Sequence, residues 1–173
     1  GDVAVVRRLP GFVEAATVQV TGQVEFPGAY ALERRRENLS SLVARAGGFT
    51  DEAYLPGARL IRDSVPVAID LERAAKRPDG EADIPLFPGD RLVVPEYDPT
   101  VRVVGAVPLQ ARIPYHSGWI VADYIERAGG FEESADEGRI RVVYPNGEAA
   151  TKGRFLFFRT APPVDPGSVI HVP

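Results

Sequence analysis

Arg45-Ala46-Gly47-Gly48-Phe49 recurs as Arg127-Ala128-Gly129-Gly130-Phe131, and each copy closes the same short amphipathic pattern. The chain is one unit written twice. Working outward, Val18-Gln19-Val20-Thr21-Gly22 matches Val101-Arg102-Val103-Val104-Gly105, Arg59-Leu60 aligns with Arg139-Ile140, Pro88-Gly89 returns as Pro166-Gly167, and Pro95 as Pro173. A repeat of roughly 75 to 85 residues is long for a solenoid and suits small tandem domains. The expected division is 17–97 for the first domain and 98–173 for the second. A third echo stands at the start, where Gly1-Asp2-Val3-Ala4-Val5-Val6 is similar to Gly89-Asp90-Arg91-Leu92-Val93-Val94. Residues 1–16 are therefore expected to be the closing strand of a preceding repeat plus a linker, and the chain a fragment of a longer protein.

With 45% apolar residues in 173, the chain can bury a core, and small units are expected to support each other across a packed contact. The 17 Gly and 16 Pro are spread singly or in pairs, as punctuation between short strands. The absence of Cys excludes thiol catalysis, a disulfide framework and Cys-ligated metal centres. A net charge of −4 argues against nucleic acid held by a global positive field. No apolar run approaches the ~20 residues of a membrane-spanning helix, so no span is expected in this fragment.

Within the first unit, Thr17 to Val24 alternates with a period of two, which marks a half-buried strand, and Pro27-Gly28 turns the chain into a second one. Leu39, Leu42, Val43 and Ala46 then fall at i, i+3, i+4 and i+7, one stripe of a two-turn helix. Ser40 is the expected N-cap, with Leu39 at the position of a hydrophobic staple. The second copy repeats the stripe as Val121, Tyr124, Ile125 and Ala128, with its cap shifted toward Asp123 or weaker. Each Gly pair supplies a left-handed helix stop, Phe49 and Phe131 are expected to fold back onto the helix, and Arg45 and Arg127 sit at the negative end of its dipole. Two further strands follow in each unit, the second pair joined by Pro145-Asn146-Gly147, and each unit closes on a strand after Pro-Gly. Strand, strand, helix and further strands is the order of a β-grasp, an α+β fold with a mixed sheet on one short helix.

The chain resembles the soluble-ligand-binding β-grasp (SLBB) family, whose units are ubiquitin-like. The resemblance rests on Val20-Thr21-Gly22-Gln23-Val24 with Pro27-Gly28, on Leu39-Ser40-Ser41-Leu42 through Ala46-Gly47-Gly48-Phe49, and on Pro88-Gly89-Asp90 with Val94-Pro95. The second unit departs from it, with Val107-Pro108-Leu109 in place of Phe26-Pro27-Gly28 and Ser168 in place of the Asp. Arg154-Phe155-Leu156-Phe157-Phe158-Arg159 before Val164-Asp165-Pro166-Gly167 is similar to the tail of tandem SLBB proteins of capsule and exopolysaccharide export. The resemblance implies a periplasmic module of an export assembly whose parent is associated with the outer membrane. Its implied partners are export and co-polymerase proteins, polysaccharide, and further copies joined through sheet edges.

Candidate sites are few. His116 and His171 are the only histidines and neither has a metal-ligand partner at a characteristic spacing, so no metal is expected; His171 is expected to face outward or to be satisfied. Tyr115-His116-Ser117-Gly118-Trp119 is an aromatic, polar turn before the second helix, suited to a sugar or peptide surface. The competing expectation is that Tyr115 and Trp119 pack between the two units. Arg34-Arg35-Arg36 could meet an anionic polysaccharide or an acidic neighbour, or be a solvated loop. Asp51-Glu52 and Glu132-Glu133 are adjacent carboxylates, without the facing separation that glycoside hydrolysis requires. The Asn38-Leu39-Ser40 sequon at a helix start reads as accidental. No nucleophilic triad, phosphate loop or dinucleotide fingerprint is present, so neither catalysis nor a cofactor is expected. Two functions compete: a non-enzymatic structural and binding module of polysaccharide export, and a soluble receptor for a small ligand such as an oligosaccharide or a cobalamin-like molecule.

Overall fold

Val18 and Val20 alternate with Thr17, Gln19 and Thr21, so strand β1 (Thr17–Gly22) turns both valines to one side, where they are buried. The computed structural model describes residues 16–33, 37–151 and 162–173. In it β1 is flanked by β2 (Gly28–Ala31), antiparallel, and by β5 (Arg91–Val94), parallel. The hairpin of β3 (Arg59–Arg62) and β4 (Val65–Val67) completes a five-stranded sheet in the order β2-β1-β5-β3-β4. The second unit repeats that order with β6 (Thr100–Gly105), β7 (Ala111–Pro114), β8 (Arg141–Val143), β9 (Ala149–Thr151) and β10 (Val169–Val172), as β7-β6-β10-β8-β9. In both, the last strand is inserted beside the first. The chain is two tandem β-grasp units of the α+β class.

The helices lie where the apolar stripes place them. Helix α1 (Leu39–Arg45) buries Leu39, Leu42 and Val43 against Val18, Val20, Leu60 and Leu92. The second unit has a separate core, in which Tyr124 meets Val101, Val103, Val142 and Ile170. Each Gly pair ends its helix in a Schellman turn. Gly48 N–H bonds Val43 C=O at 3.0 Å and Gly130 N–H bonds Ile125 C=O at 2.9 Å, with all four glycines at positive φ. Phe49 packs on the first core, whereas Phe131 stays exposed and departs from the expectation.

Several details correct the sequence reading. Ser40 is not the N-cap; Asn38 holds that position without a side-chain cap bond. The orphan donors are met from a distance by buried Asp83, whose carboxylate accepts from Ser40 N at 2.8 Å, Ser40 Oγ at 2.7 Å and Asp79 N at 2.8 Å. Asp123 does serve the second unit's helix, α3 (Val121–Arg127), but from its third position, accepting from Ile120 N at 2.7 Å. The first unit has a second helix, α2 (Leu71–Lys76), capped by Asp70 accepting from Arg73 N and burying Leu71 and Ala74. The strand alignment also shifts. Leu60 pairs with Leu92 and Val142 with Ile170, so the partner of Arg59-Leu60 is Arg141-Val142, two positions beyond Arg139-Ile140. A slip of two keeps every side chain on its face, so alternation alone does not detect it. The expected closing strand within residues 1–16 and the Arg154–Arg159 tail lie outside the described residues, apart from Ala16.

The units touch through backbone and rings. A Cβ on Gly57 would stand 2.9 Å from Pro145 of the second unit and 2.9 Å from Pro95 of the linker, while Tyr54 and Tyr97 tilt together at 5.6 Å beside them. Glycine is equally required where β6 leaves the sheet: Gly105 has φ +103°, and a Cβ there would lie 1.9 Å from Val172 O. Gly105→Ala is expected to destabilise the chain by about 3 kcal/mol, whereas Gly28→Ala, which meets nothing within 4 Å, should change stability by less than about 0.5 kcal/mol. Urea titrations of both variants check this.

Candidate functional site

Tyr124 falls on the apolar stripe of α3 and is fully buried, so its hydroxyl needs a partner inside the fold. The oxygen accepts from His116 N at 2.9 Å and the hydroxyl lies 3.4 Å from His116 O, which pins the Tyr115–Trp119 turn to the helix. Above this anchor the Trp119 indole stacks on the His116 imidazole, centroids 4.3 Å apart at 29°, and meets Tyr124 edge-on at 5.2 Å. Tyr115 and Trp119 are half-buried and rest on the second unit's own core. The expectation that they pack between the units therefore holds for neither as its main contact, although Tyr115 also lies close enough to Tyr54 to influence its ionisation. Trp119 borders an open depression of about 450 Å³ shared with Asp123, Glu126 and Arg127. The structure thus brings His116 and Trp119 together, leaves Tyr115 against the core, and sets beside the indole three charged helix residues that the sequence pattern does not single out.

The first unit fills the equivalent place differently. Counting from the helix starts, Trp119 corresponds to Glu37 and Arg127 to Arg45. Glu37 is buried and receives Arg45 Nη1 at 2.7 Å, and the guanidinium also lies 5.3 Å from the Tyr30 ring centroid. Replacing that carboxylate by an indole leaves Arg127 exposed and without an ion pair among the described residues, on the rim of the depression. Beside α1 a depression of about 310 Å³ is lined by Glu33, Glu37, Asn38, Ser41, Ala44, Arg45 and Asp79. Arg34, Arg35 and Arg36 lie outside the described residues.

The Pro-Gly-Asp motif is structural. Asp90, with its side chain fully buried, accepts from Arg62 Nε and Nη2, both at 2.8 Å, and from Phe87 N at 2.9 Å; Arg62 also donates to Pro85 O at 3.1 Å. In the second unit Tyr144 and Ser168 occupy those positions. Tyr144 Oη donates to Pro163 O at 2.8 Å, the counterpart of the Pro85 carbonyl, and Ser168 Oγ accepts from Asp165 N at 3.2 Å. Different side chains tie the same two segments together.

His171 stands on the outer face of the second sheet, the first of the two expected placements, and its Nδ1 is buried with no hydrogen-bond partner among the described residues. Among the described residues no group of three or more His, Asp or Glu is placed to hold a metal. Asp51, Glu52, Glu132 and Glu133 are exposed loop residues. No helix among the described residues is long and apolar enough to cross a membrane.

Two mixed sheets of identical order, each closed by a Pro-Gly turn and stopped by a Gly-Gly helix end, define a tandem β-grasp protein. The SLBB domain model matches residues 17–70 and again 100–150, more than half of the chain, and the chain belongs to the SLBB domain family, a family of binding domains. No curated protein matches the sequence.

Tyr124→Phe removes the bond to the His116 backbone and is expected to cost about 1 kcal/mol, with a change in Trp119 emission that records loosening of the turn. Burial is the main cause that raises the hydroxyl pKa of Tyr54, Tyr124 and Tyr144 above the ordinary 10. These groups are neutral in both states below about pH 10, and above it the unfolded chain ionises first, so stability is lost as pH rises through that range. The urea midpoint should fall between about pH 9 and about pH 11, and less steeply in Tyr124→Phe and Tyr144→Phe.

Proposed function

We propose that this chain is a non-enzymatic, periplasmic structural and binding module of a polysaccharide export assembly, with domains at 17–97 and 98–173 and a parent protein associated with the outer membrane. The observation that carries the reading is the duplicated SLBB fold, in which one copy keeps an ion pair beside its helix and the other presents an aromatic turn over an open depression. A half-buried indole with a charged rim suits a sugar ring, which offers C–H faces to the aromatic surface and hydroxyls to Asp123, Glu126 and Arg127. In this reading Tyr115, His116 and Trp119 form the contact surface, with Arg34, Arg35 and Arg36 as a separate contact for anionic glycan or an acidic neighbour. Co-polymerase and other export proteins are the partners in the assembly. Strand addition between copies would use β2 or β9, since Pro66 removes a donor from edge strand β4 and Pro114 ends β7.

The same depression supports a second reading, a receptor for a small soluble ligand such as an oligosaccharide or a cobalamin-like molecule. The two part company in experiment. Deleting residues 17–173 from the parent protein in its cell is expected to reduce surface polysaccharide; undiminished export would sink the first reading. Trp119 is the only tryptophan, so its emission reports the site directly. Saturable changes with oligosaccharides, lost in Arg127→Ala, are expected if sugar binds here, while a response confined to a corrinoid would favour the receptor.

A further inference from the structure

Four of the six tyrosines stand at or beside the seam between the two units. Tyr54 precedes the turn to Gly57, Tyr97 lies in the linker, Tyr115 follows β7, and Tyr144 adjoins Pro145. Backbone hydrogen bonds set three of them around linker residues 95–99. Tyr54 N donates to Pro95 O at 2.9 Å, Tyr97 N to Glu52 O at 2.8 Å, and Tyr115 N to Pro99 O at 2.7 Å. The Tyr54 and Tyr97 rings stand as two inclined walls, with centroids 5.6 Å apart and planes at 56°. Tyr54 is half-buried, but Tyr97 is 46% exposed, more than a ring used only to pack the seam would be.

The surroundings are acidic. Asp51, Glu52 and Glu96 are exposed on the two segments that the bridge from Ala53 to Glu96 joins, and exposed Asp165 of the second unit lies near enough to act on the hydroxyls of Tyr54 and Tyr144. None of these four carboxylates is in an ion pair among the described residues. Burial first, and then Asp165, holds the Tyr54 hydroxyl above its ordinary pKa, and no nearby basic group offsets them. The rings therefore remain neutral phenols, and what the cluster lacks is a positive charge.

We propose that the seam binds an organic ammonium group, held between the Tyr54 and Tyr97 rings with Tyr115 and the Asp165 carboxylate beside it. A cation is attracted to an aromatic face within about 6 Å of its centroid, and a group set between these two rings meets that condition for both. A bare metal ion would need a shell of oxygen ligands, and no group of three or more carboxylates or histidines is placed to supply one among the described residues. An alkylammonium instead brings apolar surface to the rings and its charge to the carboxylates. Tyr54 and Tyr97 lie outside the depression beside Trp119, so this proposal is independent of the export reading and survives its failure.

The test is titration of the isotope-labelled chain with tetramethylammonium chloride, followed by NMR and referenced to sodium chloride at equal ionic strength. Saturable shifts are expected at the amides of Tyr54, Tyr97 and Tyr115, with half-saturation on the order of 1 mM. Choline should bind about tenfold more tightly than the neutral alcohol in which carbon replaces its nitrogen. Tyr97→Phe keeps the ring face and should bind as the wild type does, while Tyr97→Leu should weaken binding about tenfold and Asp165→Asn about threefold. Thermal melts establish that each variant is folded; should Tyr97→Leu fail to fold, the comparison of choline with its neutral isostere on the wild-type chain decides alone. Methylammonium against tetramethylammonium separates a primary amine from a quaternary one, and saturable binding of either supports the proposal. It is overturned if neither ammonium ion up to about 100 mM shifts these amides more than sodium chloride does. Equal binding of the neutral isostere also overturns it, as does a folded Tyr97→Leu chain that binds as the wild type does.

Discussion

Each sheet is held together by the strand that arrives last. β5 and β10 occupy central positions, parallel to the first strand on one side and antiparallel to the third on the other, and their inward residues Leu92, Val94, Ile170 and Val172 have no exposure at all. The first strand cannot complete its ladder until the whole unit has been laid down. That late, long-range closure carries a loop-closure cost that the local helices and hairpins do not offset alone. It explains why the turn into the closing strand is so heavily anchored, by the buried carboxylate of Asp90 in one unit and by the Tyr144 and Ser168 bonds in the other.

The anchoring also shows how two copies of one fold can diverge without losing it. Arg62 and Tyr144 differ in size, charge and reach, yet both donate to the carbonyl of the proline four residues before the turn glycine, Pro85 before Gly89 in one case and Pro163 before Gly167 in the other. What the fold requires is a donor at that carbonyl, and the residue type is free. Beside the helix the requirement is weaker still. A buried carboxylate with its arginine in the first unit becomes an indole with an exposed arginine in the second, and the helix it flanks keeps the same length.

Much of this was legible in the sequence because it is local. Alternation in Thr17–Gly22, the stripe of Leu39, Leu42, Val43 and Ala46, and the Gly pairs each act within a few residues. Helix α2 was legible too, since Asp70 before Leu71-Glu72-Arg73-Ala74-Ala75-Lys76 is a cap followed by helix formers, but attention to the repeat passes over an element without a visible second copy. The cap supplied by Asp83 was not legible, because its partner is forty-three residues away and no spacing rule reaches that far. Of the candidate site, the turn from Tyr115 to Trp119 stood out as a difference between copies. Its charged rim did not, because Asp123, Glu126 and Arg127 look like an ordinary solvated helix face until the fold sets them beside the indole.

Gly57 between Pro95 and Pro145 gives the junction of the two units a particular mechanical character. Pyrrolidine rings and a bare Cα have no long rotamers through which to yield. A Cβ at position 57 would stand 2.9 Å from each ring, so how closely the two units approach at this seam is set by a single hydrogen.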